Sequence, residues 1–217
     1  MMRSRWLGYI VAALAAAASA WAYPRLPPRV AIHWSLSGQP DGYGSKLLAA
    51  VLLPLMILAM RGLLSVLPRI DPKGENYPKF ASTYWLIFNG VIVFFGVIHL
   101  AVLAYGLGAP VRMDRVVAAG VGVLLIVIGN YITRVEPNWF IGIRTPWTLS
   151  SDRVWRRTHR VGGWILVTGG ALVVLSLFVP AGAALPILIA TIALVAVVPV
   201  VLSYLWWRRE RAGARQT

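Results

Sequence analysis

Six runs of about twenty apolar residues, at roughly 6–23, 47–67, 83–105, 115–133, 161–179 and 184–205, alternate with shorter stretches where prolines, glycines and charges gather. A bilayer core takes about 20 helical residues to cross, and lipid obliges each spanning segment to satisfy its own backbone. The pattern therefore predicts an all-α, polytopic membrane protein with six transmembrane helices. Two of the connections are too long and too patterned to be plain links. In residues 24–46, PRLPPRVAIHWSLSGQPDGYGSK, the prolines 24, 27 and 28 stop the first helix and keep the backbone extended. AIHW then reads as a short strand, and SGQPDGYGS is dense in turn formers. In residues 134–160, Pro137 ends the fourth span and Pro146 makes a second break. Ser150 or Ser151 caps a new helix with Asp152 in its first turn. That helix runs through VWRRTHR into the fifth span. Trp155, His159 and Gly162 fall on one face of it, and Arg153, Arg156, Arg157 and Arg160 cover much of the rest. A helix of this composition suits the headgroup layer.

Composition agrees with a bilayer setting: 59% of residues are hydrophobic, 13% are charged, and the mean hydropathy is +0.71. A net charge of +14 would suggest nucleic acid as a partner until the charges are placed. Of the 21 Lys and Arg, fifteen fall on the side of the termini, five on the other side, and Arg61 inside a span. By the positive-inside rule both termini are cytoplasmic, loop 24–46 is external and loop 134–160 is cytoplasmic. The excess charge then reports topology, and the partner is the lipid bilayer, with no direct nucleic acid. The basic MMRSR, the apolar segment and ASA also describe a signal peptide. A retained helix is expected, because removing it would put the other five spans out of phase with the charges. The chain divides into residues 1–105, three helices with the external loop, and residues 106–217, three helices with the cytoplasmic motif. No internal repeat is visible between the two halves.

Here two stretches carry a resemblance. NWFIGIRTPWTLSSDRVWRRTHRVGGW resembles the signature of the SdpI family of bacterial membrane proteins, and HWSLSGQPDGYGSK resembles the domain of unknown function that accompanies it. For the best-known member this implies a polytopic protein that protects its cell from a secreted toxic peptide and draws a transcriptional repressor to the membrane. Transport of a small molecule, or interaction with lipid, is the alternative.

Read as chemistry, the outer loop offers His33, Trp34, Asp41 and Tyr43, an aromatic anchor with polar neighbours suited to an amphipathic peptide. Turn and interfacial-belt rules would select the same residue types, and both readings stand. The inner motif comprises Glu136, Asn138, Trp139, Arg144, Thr145, Trp155 and His159. Glu136 is placed to pair with Arg134 or Arg144, and Asn138 to bond backbone that Pro137 and Pro146 leave open. The tryptophans also fit as interfacial anchors. Inside the spans, Arg61 is expected to snorkel to the headgroups. Asn89 and Asn130 are expected to pair across helices, and His99 to be packed against a carbonyl.

Enzyme chemistry finds no support in the sequence. With no cysteine there is no thiol nucleophile or thiolate ligand. The three histidines are assigned to outside, membrane and inside, so they do not meet at a metal. No acid lies within a predicted span, and seven residues separate Asp152 from His159, too far for direct coupling. No catalytic residue, metal or cofactor is expected. Gly162-Gly163 and Gly169-Gly170 suit close helix packing rather than a phosphate loop.

Overall fold

A computed structural model describes residues 2–35 and 37–213. The charge expected at Arg215, and the side chains of Arg3 and Arg5, lie outside the described residues. The helices are α1 (Met2–Ala22), α2 (Lys46–Ile70), α3 (Ala81–Gly106), α4 (Met113–Tyr131), α5 (Pro146–Ser150), α6 (Asp152–Leu175) and α7 (Ala181–Gly213). Six helical stretches are long and apolar enough to cross a membrane: Trp6–Arg25, Lys46–Ile70, Gly74–Gly106, Met113–Arg134, Asp152–Phe178 and Leu185–Gly213. The chain is a polytopic all-α membrane protein. Its described residues form two compact units, one of residues 1–66 and 88–120, the other of residues 67–87 and 121–217.

In the first unit, the segment after α1 is a hairpin. Strand β1 (Arg29–Trp34) pairs antiparallel with β2 (Pro40–Ser45). The AIHW strand was legible in sequence; its partner, PDGYGS, reads as a turn because glycine and proline dominate it. The reversal between them is closed by Ser35 N donating to the Gln39 carbonyl over 2.9 Å. It passes through Gly38 at φ +77°, a conformation that favours glycine. Beneath the hairpin lies a core of Ala22, Leu26, Val30, Ala49, Val102, Leu103 and Met113.

The second unit joins α6 and α7 to the 3₁₀ segment Gly74–Phe80, the lower part of α3, and loop 135–145. Helices α4 and α6 approach so closely that a Cβ on Gly129 would lie 2.6 Å from the Gly163 carbonyl oxygen. A Cβ on Gly170 would lie 2.5 Å from that of Gly122. This is the small-residue packing that lets membrane helices touch backbone to backbone. The expected fifth span begins earlier than its apolar run, since α6 continues unbroken from Asp152. Ser151 is its N-cap, accepting a hydrogen bond from Val154 N, and Ser150 is not.

Candidate functional site

Loop 135–145 is irregular, and it is held from inside by side chains rather than by a backbone ladder. Asn138 is fully buried. Its Nδ2 donates to the carbonyls of Glu136 (2.9 Å) and Ile141 (3.1 Å), and its Oδ1 accepts from Phe140 N (2.9 Å) and Ile141 N (2.7 Å). One amide thus satisfies four backbone groups that proline-interrupted, non-helical chain cannot pair among themselves.

A second hub comes from α6. Trp155 and His159, one helical turn apart, are both buried and their rings stack with centroids 4.1 Å apart. Trp155 Nε1 donates to the Val135 carbonyl (2.8 Å), fixing where the loop begins. His159 Nε2 lies 3.0 Å from Ile143 N. A backbone N–H only donates, so Nε2 is the accepting nitrogen and the proton sits on Nδ1, which donates to the Trp155 carbonyl at 2.8 Å. The imidazole is a neutral strut with both nitrogens used. Gly142, at φ +111°, lies against it, and any Cβ there would run into His159 Nε2. The four arginines at 153, 156, 157 and 160 are exposed on the opposite faces of α6.

A third hub did not stand out in the sequence. Asp71, buried after α2, accepts from Lys73 N on Oδ1 (2.8 Å) and from both Tyr77 OH (2.8 Å) and Trp139 N (2.9 Å) on Oδ2. Beside it Asn76 Nδ2 donates to the Pro137 carbonyl over 2.8 Å. Asp71 and Asn76 therefore tie residues 71–80 to the loop. The available signal was one acid at the end of an apolar run, before Pro72, with Tyr77 nearby; its partner 68 residues away was not readable.

The remaining motif residues take smaller roles. Thr145 caps α5: its side chain accepts from Thr148 N, Thr148 Oγ1 accepts from Thr145 N at 2.8 Å, and the Thr145 hydroxyl lies 3.1 Å from Ser203 Oγ on α7. Arg144 is exposed and donates to the Trp139 carbonyl over 2.6 Å. Trp139 itself is 47% exposed. The expected ion pair of Glu136 does not form among the described residues: its carbonyl, not its carboxylate, enters the network, while Arg144 turns to the carbonyl and Arg134 covers Tyr131.

In the first unit, His33 Nδ1 meets Asp41 Oδ1 at 2.5 Å on the exposed side of the hairpin, where Tyr43 is also exposed. Trp34, expected as an aromatic anchor or a belt residue, packs within the first unit. It is half-buried, packs against the hairpin core and sets its ring edge-on to Tyr105 with centroids 5.5 Å apart. The hairpin turn rests on the start of α4, where Arg112 bonds Asp114 through two nitrogens, at 3.0 and 2.7 Å. That bonding raises the Arg112 guanidinium above its ordinary value.

The intramembrane polar residues are corrected in two places. Arg61 does not snorkel: it is 6% exposed, covers the Tyr9 ring at 4.9 Å and bonds Ser65. Asn130 is exposed and donates to the Ile126 carbonyl of its own helix over 2.9 Å, so that amide hydrogen bonds within α4, not across helices. Asn89 is buried in α3. His99 is fully buried, with Nε2 2.8 Å from Ser19 Oγ and 3.2 Å from the Ala15 carbonyl. Ser19 donates its own proton to the Ala50 carbonyl over 2.6 Å, so His99 carries its proton on Nε2. No group of three or more metal-ligating side chains occurs among the described residues.

Comparison with known proteins converges on the same two stretches. The model of the SdpI/YfhL protein family matches residues 134–203, and that of a domain of unknown function (DUF1648) matches residues 10–58. The first range holds the loop, its α6 struts and Ser203; the second holds the hairpin and Ser19. Over 208 residues, 96% of this chain and 98% of the other, the sequence is 27% identical to the Immunity protein SdpI of Bacillus subtilis (strain 168). No solved structure matches. With the signature block, the accompanying N-terminal domain and an end-to-end relative all present, this multi-pass membrane protein is similar over its length to the SdpI/YfhL family.

Proposed function

We propose that this chain is an immunity protein that protects its cell from a secreted, membrane-active peptide, with the hairpin outside and loop 135–151 inside. The observation that carries the reading is the end-to-end similarity to an immunity protein, spanning both the hairpin and the loop. The charge bias supports both termini being cytoplasmic. On the outer side the exposed pair His33–Asp41 and the exposed Tyr43 offer an aromatic ring beside hydrogen-bonding groups, a surface an amphipathic peptide can use. On the inner side the loop is a braced platform from which Trp139 and Arg144 project, suited to a protein partner such as a transcriptional repressor.

The test is survival of a toxin-sensitive bacterium making this chain, under challenge with secreted membrane-active peptides. It is compared with His33→Ala/Tyr43→Ala and Trp139→Ala/Arg144→Ala variants at matched membrane levels. The hairpin variant is expected to lose protection and the loop variant to keep it while losing any transcriptional response. Failure of the unaltered chain to protect against any of several such peptides would sink the immunity reading.

A further inference from the structure

At one end of the α6–α7 pair, where α6 begins and α7 ends, the second unit has an open cavity of about 470 Å³. Arg153, Arg156, Arg211, Trp207, Ser151 and Glu210 line it. The lining residues occupy the first turns of the span Asp152–Phe178 and the last turns of the span Leu185–Gly213, so the cavity lies at the level of the membrane surface. Its charges do not balance. Glu210 accepts from Ser151 Oγ over 2.8 Å and meets Arg153 at 4.0 Å, and Asp152 at the rim meets Lys73 at 3.9 Å. No ion pair among the described residues reaches Arg156 or Arg211. Arg211 is held with its guanidinium 4.3 Å from the Trp207 ring centroid, and nearby Arg157 is held on Trp206 at 4.6 Å. Stacking on an indole orients a guanidinium while leaving its edge N–H groups free to donate.

From this geometry we infer that the cavity binds the phosphate of an anionic phospholipid headgroup, through Arg156 and Arg211. A planar guanidinium offers paired donors that match two phosphate oxygens. The phosphate groups of a bilayer surface are the anions present at that level in the highest concentration, and the lining tryptophan suits the same layer. The cavity has the volume of a small-ligand site, enough for a glycerophosphate group while its acyl chains run along α7. That helix leaves Ile189, Ile192 and Val197 exposed. The inference does not depend on the immunity reading, and it holds for either orientation of the chain.

Native mass spectrometry of the full chain in detergent, titrated with phosphatidylglycerol and with phosphatidylcholine, tests it. Arg156→Ala/Arg211→Ala is the altered cavity. Arg208→Ala/Arg209→Ala removes equal charge from exposed positions on the same helix end. All four side chains are exposed, so thermal stability is expected to stay at the wild-type level in both variants. The cavity variant is expected to lose phosphatidylglycerol affinity by about tenfold or more, the scale of one charged contact, while the control keeps it. Equal loss in both variants would reduce the effect to surface charge and overturn the site. Displacement of the lipid by inorganic phosphate alone would make a free phosphate the ligand. Retention of phosphatidylglycerol by the cavity variant would overturn the lipid assignment, and if a partner protein were lost at the same time, the cavity would belong to that protein.

Discussion

Replacing Asn138 removes one side chain but unpairs four backbone groups, which makes it the most informative perturbation of the loop. In Asn138→Ala the carbonyls of Glu136 and Ile141 and the amides of Phe140 and Ile141 lose their partners within a buried site. A net contribution of about 1 kcal/mol per bond amounts to about 4 kcal/mol for the local fold. Part of that loss is recovered if the loop opens to water, so the expected effect is local opening rather than global unfolding. Amide hydrogen exchange at Phe140 and Ile141 reads it directly. A loss of about 4 kcal/mol accelerates exchange there by up to about a thousandfold, with α6 and α7 little affected.

Asn138→Asp sharpens the test because it keeps the shape and both accepted bonds. It turns the donor nitrogen into an oxygen facing two carbonyl oxygens, so two bonds are lost and a repulsion is added. Its exchange is expected to rise nearly as much as in the alanine variant. If Phe140 and Ile141 in both variants exchange within about threefold of wild type, Asn138 is not what holds the loop.

Four further outcomes are expected. Gly142→Ala combines an unfavourable φ with a collision against His159, and should lower thermal stability by about 2–4 kcal/mol where a neighbouring exposed site tolerates alanine. Asp71→Asn and Tyr77→Phe share one hydrogen bond, so a double-mutant cycle should return a coupling of about 1–2 kcal/mol; additive losses would show that the bond contributes nothing. Gly129→Val should disrupt the α4–α6 contact and lower the melting temperature, whereas Gly62→Val, where an added side chain meets open space, should not. Because the chain has no cysteine, Ser37→Cys and Ser150→Cys can each be labelled singly. An impermeant maleimide should reach the first from outside the cell and the second only after lysis, and the reverse would refute the orientation.

Most of what the sequence made legible was governed by local rules. Span positions follow from length and hydropathy, the α6 start from Ser151 and Asp152, and the shared face of Trp155, His159 and Gly162 from helical spacing; all three of those residues are buried. Legibility failed where the partner was distant. Asp71 gains its meaning from Trp139, and Ser19 from His99, across 68 and 80 residues. It failed again where a residue type had two uses. Trp34 fits a recognition anchor by composition, but the hairpin turns it onto Tyr105, and Arg61 fits snorkelling by position, yet Tyr9 and Ser65 hold it in. Glu136 illustrates the same limit, since neighbouring charges in sequence did not become neighbours in space.

The disposition of the intramembrane polar groups also separates the two broad functional readings. A transport path through lipid needs polar side chains left open to a moving solute or proton, usually facing water or one another. Here Arg61 is occupied by an aromatic face and a hydroxyl within its own unit, His99 shares its one proton between Ser19 and the Ala15 carbonyl, and Asn130 bonds its own helix. Each of these bonds joins or braces helices, and the cavity lined by charged residues lies where α6 begins and α7 ends. The groups still free to meet a partner, His33 with Asp41 and Tyr43 on the hairpin and Trp139 with Arg144 on the loop, are in the segments that connect the spans. On the proposed reading, these exposed segments are where a peptide on one side and a partner on the other would be recognised.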